Sequence, residues 1–212
     1  MHGKNWTNSK YYDKYKNSTT PEQDILNEWT TDGQIACELG NNLHNWIEQY
    51  YLSGRSFNIS NTIIATEINY FMKFDTTILG KLVPWAIEMS IFNEEYGVAG
   101  TIDALFACSA DNYAGNMLVI IDWNRSKHIL NENEKGYNRG KGALHEFRNT
   151  SYYRYCLQQN CYRYILEREP YNKTIVNCYL VQLHPNFDDY NVITVPKIND
   201  EGIKYILGNK KT

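Results

Sequence analysis

The chain has 212 residues, of which 42% are hydrophobic and 21% are charged, and its formal net charge at pH 7 is -3. This composition predicts a globular domain with a full core and excludes a disordered chain and a strongly basic coat for nucleic acids. No apolar run approaches the roughly twenty residues of a membrane helix and no amino-terminal segment resembles a signal peptide, so we expect an intracellular protein, cytoplasmic or nuclear. Five cysteines without a C-x-x-C pair favour reduced thiols.

The first third of the chain is predicted to be an arm followed by helices. Residues 1–20 are polar and lack an apolar period, which predicts an irregular arm ahead of a domain over residues 21–212. Thr20-Pro21-Glu22 is typical of a helix start, and this helix is expected to reach about residue 51 with a break near Gly33. A second helix is expected over about residues 62–74.

The remainder of the chain begins with strand patterns. Strands are expected at about residues 85–93, 98–109 and 117–123, joined by an acidic turn at 94–97 and a loop at 111–115. A loop is expected over residues 131–149. Ser151 then opens a helix that ends before Pro170, followed by extended chain near 174–183 and 191–195.

Two aspartates in the strand region are candidates for a metal site. Asp103 ends the segment Gly100-Thr-Ile-Asp103, and Asp122 follows the apolar run 117–121. Carboxylates at the ends of two neighbouring strands can converge on one divalent cation. Because strand side chains alternate between faces, residue 124 lies on the same side as Asp122, and a lysine there would stand beside the ion. The residue present is Asn124.

Three further features accompany the aspartates. His44 follows Gly40 on the first long helix, and Glu88 lies in an alternating stretch just ahead of the acidic turn. Gln158-Gln-Asn-Cys-Tyr162 lies on the later helix, where residues four apart share a face. Taken alone, Glu88 is nearly as well explained as a solvated strand residue.

The order of these motifs resembles the PD-(D/E)XK nuclease superfamily, specifically its RecB-like exonuclease branch. The sequence of residues 122–127 is most similar to that of RecB-like domains of large DNA viruses. The resemblance runs from about residue 21 to about residue 196. It implies an α/β restriction-endonuclease-like core, with a central mixed β-sheet flanked by α-helices. It also implies hydrolysis of DNA, single-stranded or at duplex ends, within a larger parent protein or a replication or repair complex, at a viral replication site if the source is viral.

The resemblance further implies a role for each motif residue, with Mg²⁺ or Mn²⁺ as the cofactor. The ion would be held by His44, Asp103, Asp122 and the backbone carbonyl of Trp123. The catalytic set would be Asp103, Asp122, Asn124 and Glu88. Nucleic acid would be contacted by Gln158, Tyr162, Arg125 and Lys127. Because the net charge is slightly negative, any basic surface must be local, with the loop 135–148, Arg154 and Arg163 as further candidates.

Asn124 occupies the position where the family carries a lysine. Its amide can hydrogen-bond but has no charge, and loss of one positioned electrostatic donor typically costs on the order of 10²–10³ in rate. Lys127 would face away in a continuing strand, and Lys141 is the other candidate substitute. The sequence fits a variant disabled to trap substrate and a natural pseudonuclease that binds nucleic acid without cutting it.

Overall fold

A five-stranded mixed sheet forms the centre of the fold. The computed structural model describes residues 6–56, 63–79, 82–108, 117–127, 129 and 138–208. In spatial order the strands are β1 (Val83–Asn93), β2 (Val98–Ala107), β3 (Met117–Asn124), β4 (Thr174–Gln182) and β5 (Asn191–Thr194). β3 and β4 pair in parallel, and the other neighbours are antiparallel.

The described helices are α1 (Tyr12–Tyr15), α2 (Pro21–Leu52), α3 (Ala65–Thr77), α4 (Ser151–Leu166) and α5 (Asp200–Gly208). α3 and α4 pack against opposite faces of the sheet. α4 lies in the connection between β3 and β4, as parallel neighbours require a crossover. The predicted α/β class, with a central mixed sheet between helices, is confirmed.

The two faces of β3 carry different partners because its side chains alternate. Leu118 and Ile120 pack with Cys156 of α4 in one buried cluster. Trp123 points to the other face, where its ring centroid lies 5.3 Å from that of Phe71 on α3. Asp122 has the same parity as Leu118 and Ile120, so it faces α4.

The described chain divides into two compact units, one ending at Asn42 and the other beginning at Leu43. In the first, α1 and the start of α2 are joined by hydrogen bonds from Tyr15 and Lys14 to Glu28. The second contains the sheet and the helices that cover it. The predicted division into a 1–20 arm and a 21–212 domain stays a prediction.

Two features differ from the predicted elements. The break near Gly33 is wrong, since α2 is continuous, and an interior glycine costs only ~1 kcal/mol relative to alanine. α5 was not predicted; its Ile203 and Leu207 are buried with Tyr164 of α4. The loop expected at 111–115 lies outside the described residues. Among the described helices, none has the length and apolar character needed to cross a membrane.

Candidate metal centre

Three carboxylates form a row across β1, β2 and β3. The β1–β2 ladder pairs Ile87 with Ala104 and Met89 with Ile102, so Glu88 lies opposite Asp103. The β2–β3 ladder ends at the pair Ala104–Ile121, and one further step places Asp122 opposite Asp103. Residues directly opposite one another share a face of the sheet. Register therefore brings together three acidic residues that are far apart in the chain.

His44, on the carboxyl-terminal half of α2, faces this row. Its Nδ1 lies 3.5 Å from Oε1 of Glu88 and 3.6 Å from Oδ2 of Asp103. One ligand atom of each of these residues lies within 4.8 Å of the others. The contact with Glu88 is a long hydrogen bond, and attraction between the charges adds to it at both carboxylates.

The backbone at Glu88 is unusual for a strand. Its φ is +49°, in the left-handed region that non-glycine residues rarely adopt. Such backbone conformations persist only where the surrounding structure holds them, and they cluster at functional sites. At Glu88 the side chain is 29% exposed and directed at His44.

Asp103 is fixed by the strand beside it. Its Oδ2 accepts a hydrogen bond of 2.8 Å from the backbone N–H of Trp123, beyond the point where β2 and β3 stop pairing. In an extended strand the N–H and C=O of one residue point to the same edge. The carbonyl of Trp123 is therefore directed to the edge of β3 on which Asp103 lies.

Asp122 is the most deeply buried of the three carboxylates. Its Oδ1 accepts a hydrogen bond of 2.8 Å from Nε2 of Gln159 on α4. Asn124 shares its face of β3, as alternation predicts, and lies opposite Gln182 of β4 in the parallel register. Asn124 and Gln182 are both buried.

The electrostatics of the row favour the protonated forms of Asp103, Asp122 and His44. Burial raises the pKa of Asp103 to about 6, against the opposing effect of His44. Burial and the charge of Asp103 hold the pKa of Asp122 well above its usual range. For His44, burial opposes protonation, but the hydrogen bond with Glu88 and the charges of Asp103, Glu88 and Asp122 outweigh it and raise its pKa to about 9. An additional cation would relieve the repulsion between the carboxylates.

No lysine substitutes for Asn124 within the described ranges. Lys127 and Lys141 are exposed, and the ion pairs to the row that those ranges contain come from His44. Arg163, one of the residues predicted for a local basic surface, is only 4% exposed and therefore does not serve as a surface residue.

Gln158 and Tyr162 form a hydrogen-bonded pair on α4. Nε2 of Gln158 donates to the Tyr162 hydroxyl over 2.8 Å, as their spacing of four allows. The Tyr162 ring lies against Gly100 of β2, where an added Cβ would lie 2.7 Å from Cε1 of the ring. Burial raises the pKa of Tyr162, the hydrogen bond with Gln158 opposes this effect, and the charges of Asp122 and Asp103 add to it.

Arg125 and Lys127, the predicted nucleic-acid contacts after β3, have different surroundings. Nε of Arg125 lies 2.6 Å from Oε1 of Glu67, and both side chains are largely buried. Lys127 is exposed. Arg125 therefore neutralises a buried carboxylate of α3, a contact that sequence spacing did not indicate.

Gln159 was also missed. It lies within the Gln158–Tyr162 segment, and only the orientation of α4 shows that this second glutamine, rather than the first, reaches Asp122. Helical periodicity separates adjacent residues by about 100°, so the two amides cannot share one direction.

Comparisons with known proteins give distant similarities. No family model matches the chain, and no curated protein matches it. Among solved structures, it is similar to a Eubacterium rectale protein whose proposed activity is that of an exonuclease, with 10% identity and a TM-score of 0.47 over 80% of this chain. It is also similar to a protein named SSO0001, with 12% identity and a TM-score of 0.31 over 93% of this chain. This chain spans 64% of each of those proteins. Similarity at this level does not identify an activity.

Proposed function

We propose that this protein has a metal-dependent nuclease site of the RecB-like type, which hydrolyses phosphodiester bonds in DNA. The observation that carries the proposal is the row of Glu88, Asp103 and Asp122 on adjacent strands, with His44 facing it. The motifs that resemble the PD-(D/E)XK superfamily are the segments that supply these residues.

The donors in this row suit a hard divalent cation. Carboxylate oxygens with one imidazole are typical ligands for Mg²⁺ or Mn²⁺. The proposed ligands are His44, Asp103, Asp122 and the carbonyl of Trp123. His44 must release its proton to bind the ion. Because the pKa of His44 is raised to about 9, we propose that the ring acts as the counter-ion of the row in the metal-free protein.

The proposed chemistry divides among the residues around the ion. When bound, the ion polarises the scissile phosphate and lowers the pKa of an attacking water. Glu88 keeps His44 oriented and is a candidate to accept a proton from that water. Gln158 and Tyr162, whose ring lies against Gly100 of β2, are proposed to contact the DNA strand, with Lys127 near a phosphate. Arg125 pairs with Glu67 and is assigned no phosphate.

Asn124 favours a second candidate function. Residue 124 carries no charge and both lysine candidates are exposed, so within the described ranges the site has no lysine in place to stabilise the transition state. A non-catalytic module would keep the metal-binding row but would not turn over substrate. It predicts salt-dependent DNA binding without metal-stimulated cleavage.

Calorimetric titration with Mn²⁺ tests the metal centre. We expect the wild-type chain to bind the ion and the double variant Asp103→Ala, Asp122→Ala to lose binding. Asp188→Ala is the control, because it removes an exposed carboxylate from another part of the surface. If the double variant binds Mn²⁺ as the wild type does, the proposed ligand set is wrong.

Cleavage of labelled single- and double-stranded DNA tests the reaction. We expect Asn124→Lys to increase metal-dependent cleavage on the order of 10²–10³-fold over the wild-type chain. If the folded, metal-bound lysine variant cuts neither substrate, the hydrolytic function fails. Salt-dependent binding by that variant would then support the non-catalytic module, whereas no binding would support a structural domain.

A further inference from the structure

The residue that contacts Asp122 from α4 is Gln159, not its neighbour in the predicted motif. Gln159 is 1% exposed and its Nε2 donates to Oδ1 of Asp122 over 2.8 Å. Gln158 is exposed and donates to Tyr162. Two adjacent glutamines therefore serve different partners, one inside the molecule and one at the rim of the row.

The surroundings of the amide oxygen of Gln159 indicate the role of this side chain. Its Oε1 is buried, and within the described part of the chain it has no hydrogen-bond partner. A purely structural glutamine would satisfy both ends, because a buried acceptor without a partner costs free energy. When Asp122 is ionised, as cation binding requires, reversing the amide would place Oε1 against a carboxylate oxygen, so that two acceptors would face each other. The orientation is fixed by its donation to Asp122.

The turn of α4 that presents Gln159 is held in place on both sides. The next residue, Asn160, donates from Nδ2 to the carbonyls of Cys156 and Pro196 and accepts from the N–H of Ile198. One turn later, Nη2 of Arg163 lies 3.2 Å from Sγ of Cys178 on β4. Gln159 is thus presented to β3 from a fixed position.

We propose that Gln159 is a positioning residue for the metal centre. By binding Oδ1, it fixes the rotation of the Asp122 carboxylate and leaves Oδ2 as the oxygen that serves the cation. This inference rests on the proposed function, since it assigns a task within the same site. Partners of metal ligands that lie outside the coordination sphere typically contribute 10–100-fold to metal affinity.

The affinity for Mn²⁺, measured by calorimetry, tests the assignment. We expect Gln159→Leu and Gln159→Met, which keep the bulk of the side chain but remove the donor, to weaken binding by about 10–100-fold. Gln158→Leu should leave the affinity unchanged, because its amide does not contact a proposed ligand. Leu157→Ala controls for damage to α4, because Leu157 packs against the buried cluster that contains Ile203 and Leu207. It should lower the free energy of unfolding without weakening Mn²⁺ binding to the folded protein.

The outcomes separate this inference from the proposed function. If the wild type binds Mn²⁺ and both Gln159 variants bind it equally well, the positioning role is overturned and the metal centre stands. If the wild type binds no Mn²⁺, the proposed function fails. The contact itself is then judged by a double-mutant cycle of Gln159→Met and Asp122→Ala in urea unfolding, where coupling supports it and additivity overturns it.

Discussion

Replacing Glu88 with glycine should give a more stable protein than replacing it with alanine. Both changes remove the same carboxylate, so their difference reports the backbone at a φ of +49°. The left-handed conformation costs a residue with a Cβ about 1–2 kcal/mol, and glycine almost nothing. Within an ordinary strand glycine is about 0.5–1 kcal/mol less stable than alanine, which offsets part of that gain. We therefore expect glycine to be favoured at residue 88 by up to about 1.5 kcal/mol.

Urea unfolding of four variants measures this difference. Ser90 is the matched control, since it lies on the same face of β1, opposite Thr101, and its φ is not positive. Ser90→Gly should be less stable than Ser90→Ala by about 0.5–1 kcal/mol. The reasoning is refuted if alanine is favoured over glycine at residue 88 by as much as at residue 90. Both Glu88 variants should also bind Mn²⁺ more weakly than the wild type.

Three further predictions concern the surroundings of the row. In the metal-free protein the pKa of His44 is raised from 6.5 to about 9, so the folded state binds a proton that the unfolded state releases between these pH values. The free energy of unfolding should therefore fall as the pH rises through that interval. Urea titrations should show this slope in the wild type and not in His44→Gln. Gly100→Ala should cost about 1–3 kcal/mol, because its Cβ would lie 2.7 Å from Tyr162, and unfolding measurements should show the cost reduced in a Tyr162→Ala background. Arg125→Ala should cost about 3–5 kcal/mol in urea unfolding by leaving Glu67 buried without its cation, whereas a purely DNA-contacting arginine would leave stability unchanged.

Local sequence patterns predicted the structure correctly where a segment follows the periodicity of a single strand or helix. The apolar run 117–121 predicted β3, and alternation along a strand placed Asn124 on the face of Asp122. The four-residue spacing of Gln158 and Tyr162 predicted their shared face of α4. The same reasoning failed at Gly33, because a helix of 32 residues tolerates the small local cost of one glycine.

Contacts between distant segments were outside the reach of those patterns. Arg125 follows a strand that ends near the proposed site. Only the packing of α3 shows that its guanidinium forms an ion pair with Glu67. Arginine is usually a surface residue, yet the rotation of α4 buries Arg163 against Cys178. The direction of a helical side chain depends on how the whole helix is rotated against the sheet, which no spacing within the helix specifies.

By itself, the sequence determined the strands and helices that surround the site, the shared face of Asp122 and residue 124, and the neutral amide at residue 124. These properties follow from backbone periodicity, which acts between near neighbours in the chain. Only the tertiary structure decided that Glu88, Asp103 and Asp122 lie in one row, that His44 faces them, and that Gln159 holds the innermost carboxylate. Strand register and helix rotation are set by the burial of the whole core, so they emerge only when all of the elements pack together.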